Sequence, residues 1–285
     1  MSLLVERVEL LATIQDLGRP GQGHLGVSPS GAFDRPALRF GNGLVGNDAG
    51  AAALECLRGG VRLRTDADRI VAVTGAASTL RLDGRAVEHG RALHLPAGSV
   101  LDIGIVTHGL RTYVCVGGGI DVSPVLGSRS TDTLAGLGPD RVVEGTSLPI
   151  GPPGSAPAET DVPWAPRLGE TTVDVVLGPR HDWFTTDAVR RLLSEPWEVT
   201  GRSDRIGLRL SGPLLERAVT AELPSEPCVR GSIQVAADGQ PIVFGPDHPV
   251  TGGYPVIAVV VDRHTDRLAQ LTPGNTLRFT PGPRV

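Results

Sequence analysis

Short runs of β-branched and apolar residues, each cut off by glycine or proline, set the limits on what this chain can fold into. In the first half they fall at residues 69–74, 92–96, 100–106 and 110–116. In the second they fall at 173–177, 197–200, 218–223, 232–235, 242–244, 256–261 and 276–279. Runs of this length with turn residues between them are the pattern of a sandwich or a closed barrel. The 38 glycines and 24 prolines exceed a fifth of the 285 residues, against roughly an eighth in an average protein. With 40% hydrophobic residues the chain is not disordered. It is expected to be mainly β, with a few short helices.

Two helices are predicted. Asp34 stands as an N-cap with Pro36 in the first turn, and Ala37, Phe40 and Leu44 share a face; Gly43 and Gly46 weaken and end the helix. Thr186 caps a second one bearing Val189, Leu192 and Leu193, with Pro196 after it. Residues 97–103 and 273–279 echo each other as a turn leading into an alternating strand, which suits two barrels of similar design. Pro149, Pro152, Pro153, Pro157, Pro163 and Pro166 crowd one stretch, which reads as a semi-rigid connection. The expected organisation is a first domain over 1–150, a linker over 151–168 and a second domain over 169–285.

Composition also removes function classes. A net charge of -4 is not the footprint of a nucleic-acid binder. No apolar run approaches the roughly 18 residues of a membrane span, and the N-terminus does not read as a signal peptide. Cys56, Cys115 and Cys228 are scattered, with no CxxC, which fits a reducing cytoplasm. All 27 basic residues are arginine. That excludes a Walker A lysine, a Schiff-base lysine and a biotin-bearing lysine on this chain.

The chemistry concentrates between Gly18 and Gly59. Ser28-Pro29-Ser30-Gly31 reads as a turn, and Asp34 follows at the helix start. Two hydroxyls and a carboxylate therefore meet free backbone N–H groups that favour anions; a plain loop-to-helix cap has the same residues. The run from Gly21 to Gly26 matches GxGxxG, but Pro29 comes too early for the helix of a dinucleotide site. Residues 26–30 miss the nucleophile elbow because the fifth is serine. Among seven histidines there is no HExxH; His89 and His94 flank a turn, and His24 alone is kept as a proton-transfer candidate.

Two clusters mix arginine with hydroxyls: residues 127–133, GSRSTDT, around Arg129, and Ser203-Asp204-Arg205. An arginine fork suits a carboxylate or phosphate; in the second cluster a local Asp204–Arg205 pair is the alternative, worth little if exposed. Gln234 and Gln240 are uncharged amides near strand ends, able to read a small amide or lactam. Asp238-Gly239 is a hairpin turn.

Taken in order, TIQDLGRPGQGHLGVSPSGAFD, GNGLVGN, ALE, GGID, GSRSTDTLAGLGP, SDRIGLRLSGP, GSIQV, DGQPIV and TGGYPVIA resemble the 5-oxoprolinase C-subunit family. That family is also known as allophanate hydrolase subunit 2 or as biotin-dependent carboxyltransferase-like. It includes an antagonist of a sporulation-kinase inhibitor. The resemblance runs from Thr13 to Leu277. It implies two cyclophilin-like closed β-barrel domains. It also implies a hetero-oligomer with a B subunit, which is kinase-inhibitor-like and of the allophanate hydrolase subunit 1 family. With an A subunit, the expected reaction is ATP-dependent opening of 5-oxoproline to glutamate. ATP, with Mg2+, is expected at the level of the complex. The chain departs from the family at Ala236-Ala237, where a Pro-Pro pair is usual, and over residues 245–250.

On that reading Ser30, Asp34 and Glu55 are candidate catalytic residues. Ser28, Arg129, Arg205, Gln234, Gln240 and Tyr254 are candidate substrate-binding residues, and no metal site is expected. The alternatives are carboxyl transfer from carboxybiotin carried by a partner and a regulatory partner of the B subunit without turnover.

Overall fold

A computed structural model describes residues 1–154 and 170–282. The expected linker over 151–168 lies mostly outside the described residues. The chain divides into two compact units. The first takes Met1–Arg19, Ser30–Asp132 and the residues from Gly136 on in the first described stretch. The second takes Pro20–Pro29, Thr133–Ala135 and the second described stretch.

In the first unit nine strands form one curled sheet. They are β1 (Ser2–Val8), β2 (Leu11–Gln15), β3 (Ala53–Leu57), β4 (Gly59–Thr65), β5 (Arg69–Leu82), β6 (Arg85–Val87), β7 (Ala92–Leu95), β8 (Val100–Val116) and β9 (Ser147–Pro149). The organising strand is β8. Its first half pairs with β4 and its second half with β3 on one side, and β5 runs along the other. The sheet can curl because β5 is interrupted by register shifts between Gly75 and Leu80, and bulges bend and twist a strand. Gly75 is the residue that permits this. Its φ is +83, and a Cβ there would collide with the carbonyl oxygen of Arg111.

The concave side is filled by Val5, Ile14, Leu54, Val61, Leu63, Val73, Leu101, Ile103 and Val114, all buried. Against the sheet lies helix α1 (Arg35–Leu44), capped by the Asp34 carboxylate, which accepts the Ala37 N–H at 3.0 Å. Its buried face is Ala37, Leu38, Gly41, Asn42 and Leu44. Phe40, expected on that face, is only partly buried; Gly41 takes the contact with the sheet instead. A Cβ at Gly41 would lie 2.7 Å from the Cys115 sulfur.

The second unit holds a closed barrel. Its strands run β10 (Thr171–Leu177), β17 (Val256–Val260), β14 (Ser232–Val235), β15 (Pro241–Phe244), β12 (Gly207–Ser211), β11 (Trp197–Val199) and β18 (Thr276–Pro281). β18 returns to pair in parallel with β10, and every other pairing is antiparallel. A two-stranded ribbon, β13 (Glu226–Pro227) with β16 (Thr251–Gly252), stands apart. Trp197, Val199, Leu208, Ile233, Val235, Ile257, Leu277 and Phe279 are buried. Fully burying such side chains stabilises by about 1.5–3 kcal/mol each. The indole N–H of Trp197 donates to the carbonyl of Leu192 in helix α2 (Thr186–Ser194) at 3.2 Å.

Three expectations need correction. The cap of α2 is Thr185, whose hydroxyl accepts the Ala188 N–H at 3.1 Å, so Thr186 is the first helical residue. Residues 218–223 form no strand; most are exposed and no neighbour offers a ladder. Residues 100–106 and 110–116 are one strand, because Gly109 adopts φ 86 inside β8 rather than ending it. Among the described residues no helix is long and apolar enough to cross a membrane.

Gly75→Ala should therefore destabilise the protein by more than about 2 kcal/mol, from the left-handed backbone and the backbone collision together. Urea unfolding of the two proteins measures it, and a change under about 0.5 kcal/mol, the scale of a neutral surface substitution, would contradict this account of the bulge.

Candidate functional site

In the first unit the polar residues gather around two buried carboxylates. Asp16, 9% exposed, follows directly after β2. Its Oδ1 accepts from the Gly18 N–H at 2.7 Å, the Ser128 hydroxyl at 2.6 Å and the Ser130 hydroxyl at 2.5 Å. Its Oδ2 accepts the Arg129 N–H at 2.6 Å. The GSRS segment is thus a loop with no ladder of its own, wrapped on one carboxylate. The Arg129 side chain leaves that hub. It donates Nε to the Val122 carbonyl at 2.7 Å and Nη2 to Asp121 at 2.8 Å, with Arg129 half-buried and Asp121 exposed. An exposed pair of that kind contributes at most about 1 kcal/mol, so a better anion can displace it.

The Asp16 carbonyl accepts the Ala32 N–H at 2.9 Å, which joins this hub to the stretch containing Ser30 and Asp34. Ser30 at φ 53 and Gly31 at φ 87 place two left-handed residues in succession. A Cβ at Gly31 would lie 2.8 Å from the Gly18 nitrogen, so only glycine lets the two segments touch. Phe33 then donates its N–H to Glu55 Oε2 at 3.0 Å, and the Tyr113 hydroxyl donates to the same oxygen at 2.6 Å. Tyr113 in turn accepts the Asp34 N–H at 2.8 Å. Arg111 Nε stands 3.5 Å from Glu55 Oε1, its guanidinium 4.3 Å from the Phe33 ring centre. Burial, then the charges of Glu55 and Asp34, push the Tyr113 phenol well above its usual range, so it stays a proton donor to Glu55. The structure brings Asp34 and Glu55 together through Tyr113. Tyr113 and Arg111 escaped the sequence reading because both lie inside an apolar-looking strand, β8.

The second unit contains the other candidates. Arg205 and Asp247, 3% and 0% exposed, form a bidentate pair with Nε–Oδ2 and Nη2–Oδ1 both 2.9 Å. The backbone N–H and hydroxyl of Thr133 also donate to Asp247 Oδ2, at 3.0 and 2.7 Å. The alternative, a local Asp204–Arg205 pair, does not form. Asp204 instead accepts the N–H groups of Ile206 and Gly207. Burial disfavours charge on Asp247, yet the Arg205 charge and its hydrogen bonds, with those of Thr133, hold the carboxyl below its ordinary value. Arg205 is thereby a residue that positions Asp247 and the 133 segment. The Gln234 amide is buried beside the 251–254 loop. It donates to the Tyr254 carbonyl at 3.0 Å, and a Cβ at Gly252 would collide with it. The Tyr254 ring is 45% exposed, with the Arg217 guanidinium 5.9 Å from its centre. Ser28 is buried, and His24 is exposed in a short 3-10 turn over Gln22–Leu25, so the GxGxxG run opens no helix of a nucleotide fold. Gln240 binds both backbone groups of Gly212, at 2.9 and 3.2 Å, next to the Asp238-Gly239 turn. Its amide is spent on the fold.

Among the described residues no group of three His, Cys, Asp or Glu is arranged to hold a metal ion. All three cysteines are buried and unpaired, and burial raises their thiols.

This combination of a curled sheet, a closed barrel and loops pinned on buried carboxylates corresponds to a known class. Residues 25–281 match the family described as carboxyltransferase domain, subdomain A and B. The chain is 38% identical over 284 residues to the 5-oxoprolinase C subunit of Escherichia coli (strain K12), covering 97% of this chain and 90% of that one. The chain belongs to the carboxyltransferase-domain family and, within it, to the family of the 5-oxoprolinase C subunit. It is also 31% identical to urea amidolyase of Saccharomyces cerevisiae, covering 94% of this chain but 16% of that much longer one. The crystal structure of TTHA0988 has a TM-score of 0.89 at 34% identity, over 98% of this chain and 55% of that chain. This chain therefore spans about half of TTHA0988.

Removing Asp247 should leave the buried Arg205 charge without its bidentate carboxylate, a loss of about 3–5 kcal/mol at pH 7. Because the folded carboxyl titrates below its unfolded value of about 3.9, the pair stabilises above that pH and its contribution fades as pH falls through the folded value. Asp247→Ala and the parent should thus differ strongly in urea at pH 7, and the gap should narrow progressively as pH falls below about 3.9. A pH-independent gap would contradict the ion-pair account.

Proposed function

We propose that the chain is the C subunit of an ATP-dependent 5-oxoprolinase complex, hydrolysing 5-oxo-L-proline to L-glutamate in the cytoplasm. Its partners in that complex are a kinase-inhibitor-like B subunit, of the allophanate hydrolase subunit 1 family, together with an A subunit. What carries the reading is the 38% identity to the 5-oxoprolinase C subunit over nearly the whole of both chains.

A five-membered lactam is a stabilised amide and a poor electrophile. ATP, with Mg2+, supplies the phosphoryl group that makes the lactam oxygen a leaving group. Water adds to the ring carbonyl carbon, the ring C–N bond breaks as its nitrogen takes a proton to become the amine of glutamate, and a second water releases phosphate from the acyl phosphate that remains. Such chemistry needs donors for the developing oxyanion, an anchor for the substrate carboxylate and a group to handle the water proton. We assign the anchor to Arg129, whose one ion pair, with Asp121, is weak and partly solvated. Asp34 and Glu55 are assigned to the proton, with Glu55 accepting from the Tyr113 hydroxyl. The backbone N–H groups near Ser28 and Ser30 are assigned as donors. In the second unit Gln234 and Tyr254 are candidates for binding a small amide, and Arg205 is assigned to positioning through Asp247. The chain has no lysine and no Walker motif, so the nucleotide is assigned to the complex as a whole.

The second reading is carboxyl transfer from carboxybiotin on a partner, favoured by the family's description and the urea amidolyase relative. Reconstitution with the A and B subunits separates the two. Glutamate release that requires ATP supports lactam cleavage, and avidin-detectable biotin on a copurifying protein supports transfer. In the active complex Arg129→Ala should lower glutamate formation at least about tenfold, the loss of roughly 1.4 kcal/mol of binding. Unchanged turnover would remove Arg129 from the site.

A further inference from the structure

Among the buried charges of the first unit, Arg19 stands out, in the segment that follows β2. Its side chain is 2% exposed. One edge of the guanidinium is spent on neutral acceptors: Nε donates to the Val125 carbonyl at 3.2 Å and Nη2 to the Ser130 carbonyl. The remaining nitrogen, Nη1, is shielded from solvent and has no hydrogen-bond partner among the described residues. Nor does any carboxylate of the described residues pair with it, and the nearby Asp16 commits both oxygens to Gly18, Ser128, Arg129 and Ser130.

An arginine does not shed its charge at any ordinary pH. A buried cation without a counter-charge is costly, and proteins retain one where something else supplies the anion. The free end of this guanidinium offers two parallel N–H groups, the geometry that grips a carboxylate or phosphoryl oxygen pair. Gly138, at φ 82, backs directly on it: a Cβ there would lie 3.2 Å from Nη2. The neighbouring turn, Val125 to Ser128, is closed by one two-bond bridge and holds Leu126 at φ 50. That wall is locally strained and has little ladder to lose, so it is the part that yields when a ligand enters.

We propose that Arg19 is the counter-charge for a small oxyanion ligand, a carboxylate or a phosphoryl group, received at Nη1 between the Val125–Ser130 loop and Gly138. This rests on the proposed function only for the choice of carboxylate probe. The full-length protein is titrated with 5-oxo-L-proline and, separately, inorganic phosphate, following the Arg19 side-chain N–H resonance by NMR and the affinity by calorimetry. Saturable binding that moves this resonance is expected, weakened at least tenfold in Arg19→Gln and unchanged in the exposed control Arg85→Gln. A response to 5-oxo-L-proline alone identifies a carboxylate site; a response to phosphate alone identifies a phosphoryl site. Absence of saturable binding, an unmoved resonance, or equal affinity in Arg19→Gln overturns the proposal. Should Arg19→Gln not fold, the wild-type resonance decides by itself. Because turnover is not the readout, oxyanion binding at Arg19 in a complex that makes no glutamate would sink the lactam reading and leave this one standing, and the converse result would do the opposite.

Discussion

The first unit depends on a carboxylate that makes no ion pair. Asp16 accepts four hydrogen bonds from neutral donors, two backbone N–H groups and two serine hydroxyls. Ordering a loop costs roughly 1–2 kcal/mol per residue, and residues 127–130 have no strand ladder to offset it. Hydrogen bonds to a charged acceptor contribute about 1.5–3 kcal/mol each, so four of them decide the balance. Through its own carbonyl the same residue positions Ala32, and so fixes the approach to Phe33, Glu55, Tyr113 and Asp34.

The second unit meets a similar need with a different device. Asp247 is paired with Arg205 and takes two further bonds from Thr133. A fully desolvated pair of this kind adds less net stability than its distances suggest, because both charges are removed from water. What it does is fix the 133 and 247 segments in one arrangement. Both units therefore use buried acids to hold irregular backbone on regular sheet, an arrangement that suits function carried by loops on a rigid frame.

Much of the barrel was legible because its strands are short, apolar and bounded by turn residues. Residues 232–235 were delimited correctly, and the Asp238-Gly239 turn closes the hairpin that follows. Strands β1 and β4 were missed because charges break up their apolar runs, and β2 and β3 because each is only five residues long. Arg62 and Arg64 in β4 look like solvent residues in sequence, and only the fold shows them paired with Glu6 across the ladder. Glycine misled in β5 and β8: Gly75 and Gly109 mark a bulge and a bend inside long strands, not their ends. In the candidate site, Asp34 and Glu55 stand out in sequence as carboxylates among apolar and turn residues. Asp16 and Arg19 were not, although both sit in the TIQDLGRP run. An aspartate before Leu-Gly reads as an ordinary turn residue, and no local signal reveals that three of its four donors lie more than a hundred residues away.

The hub account is tested most directly by hydrogen exchange on the full chain with and without Asp16→Asn, whose amide cannot accept at both positions. The Gly18 and Arg129 amides should lose protection by about tenfold or more, the equivalent of one charge-assisted hydrogen bond, while Leu101 and Ile103 in β8 keep theirs. Equal protection at Gly18 and Arg129 in both proteins would mean that the loop holds its shape without the carboxylate, and the account would be contradicted.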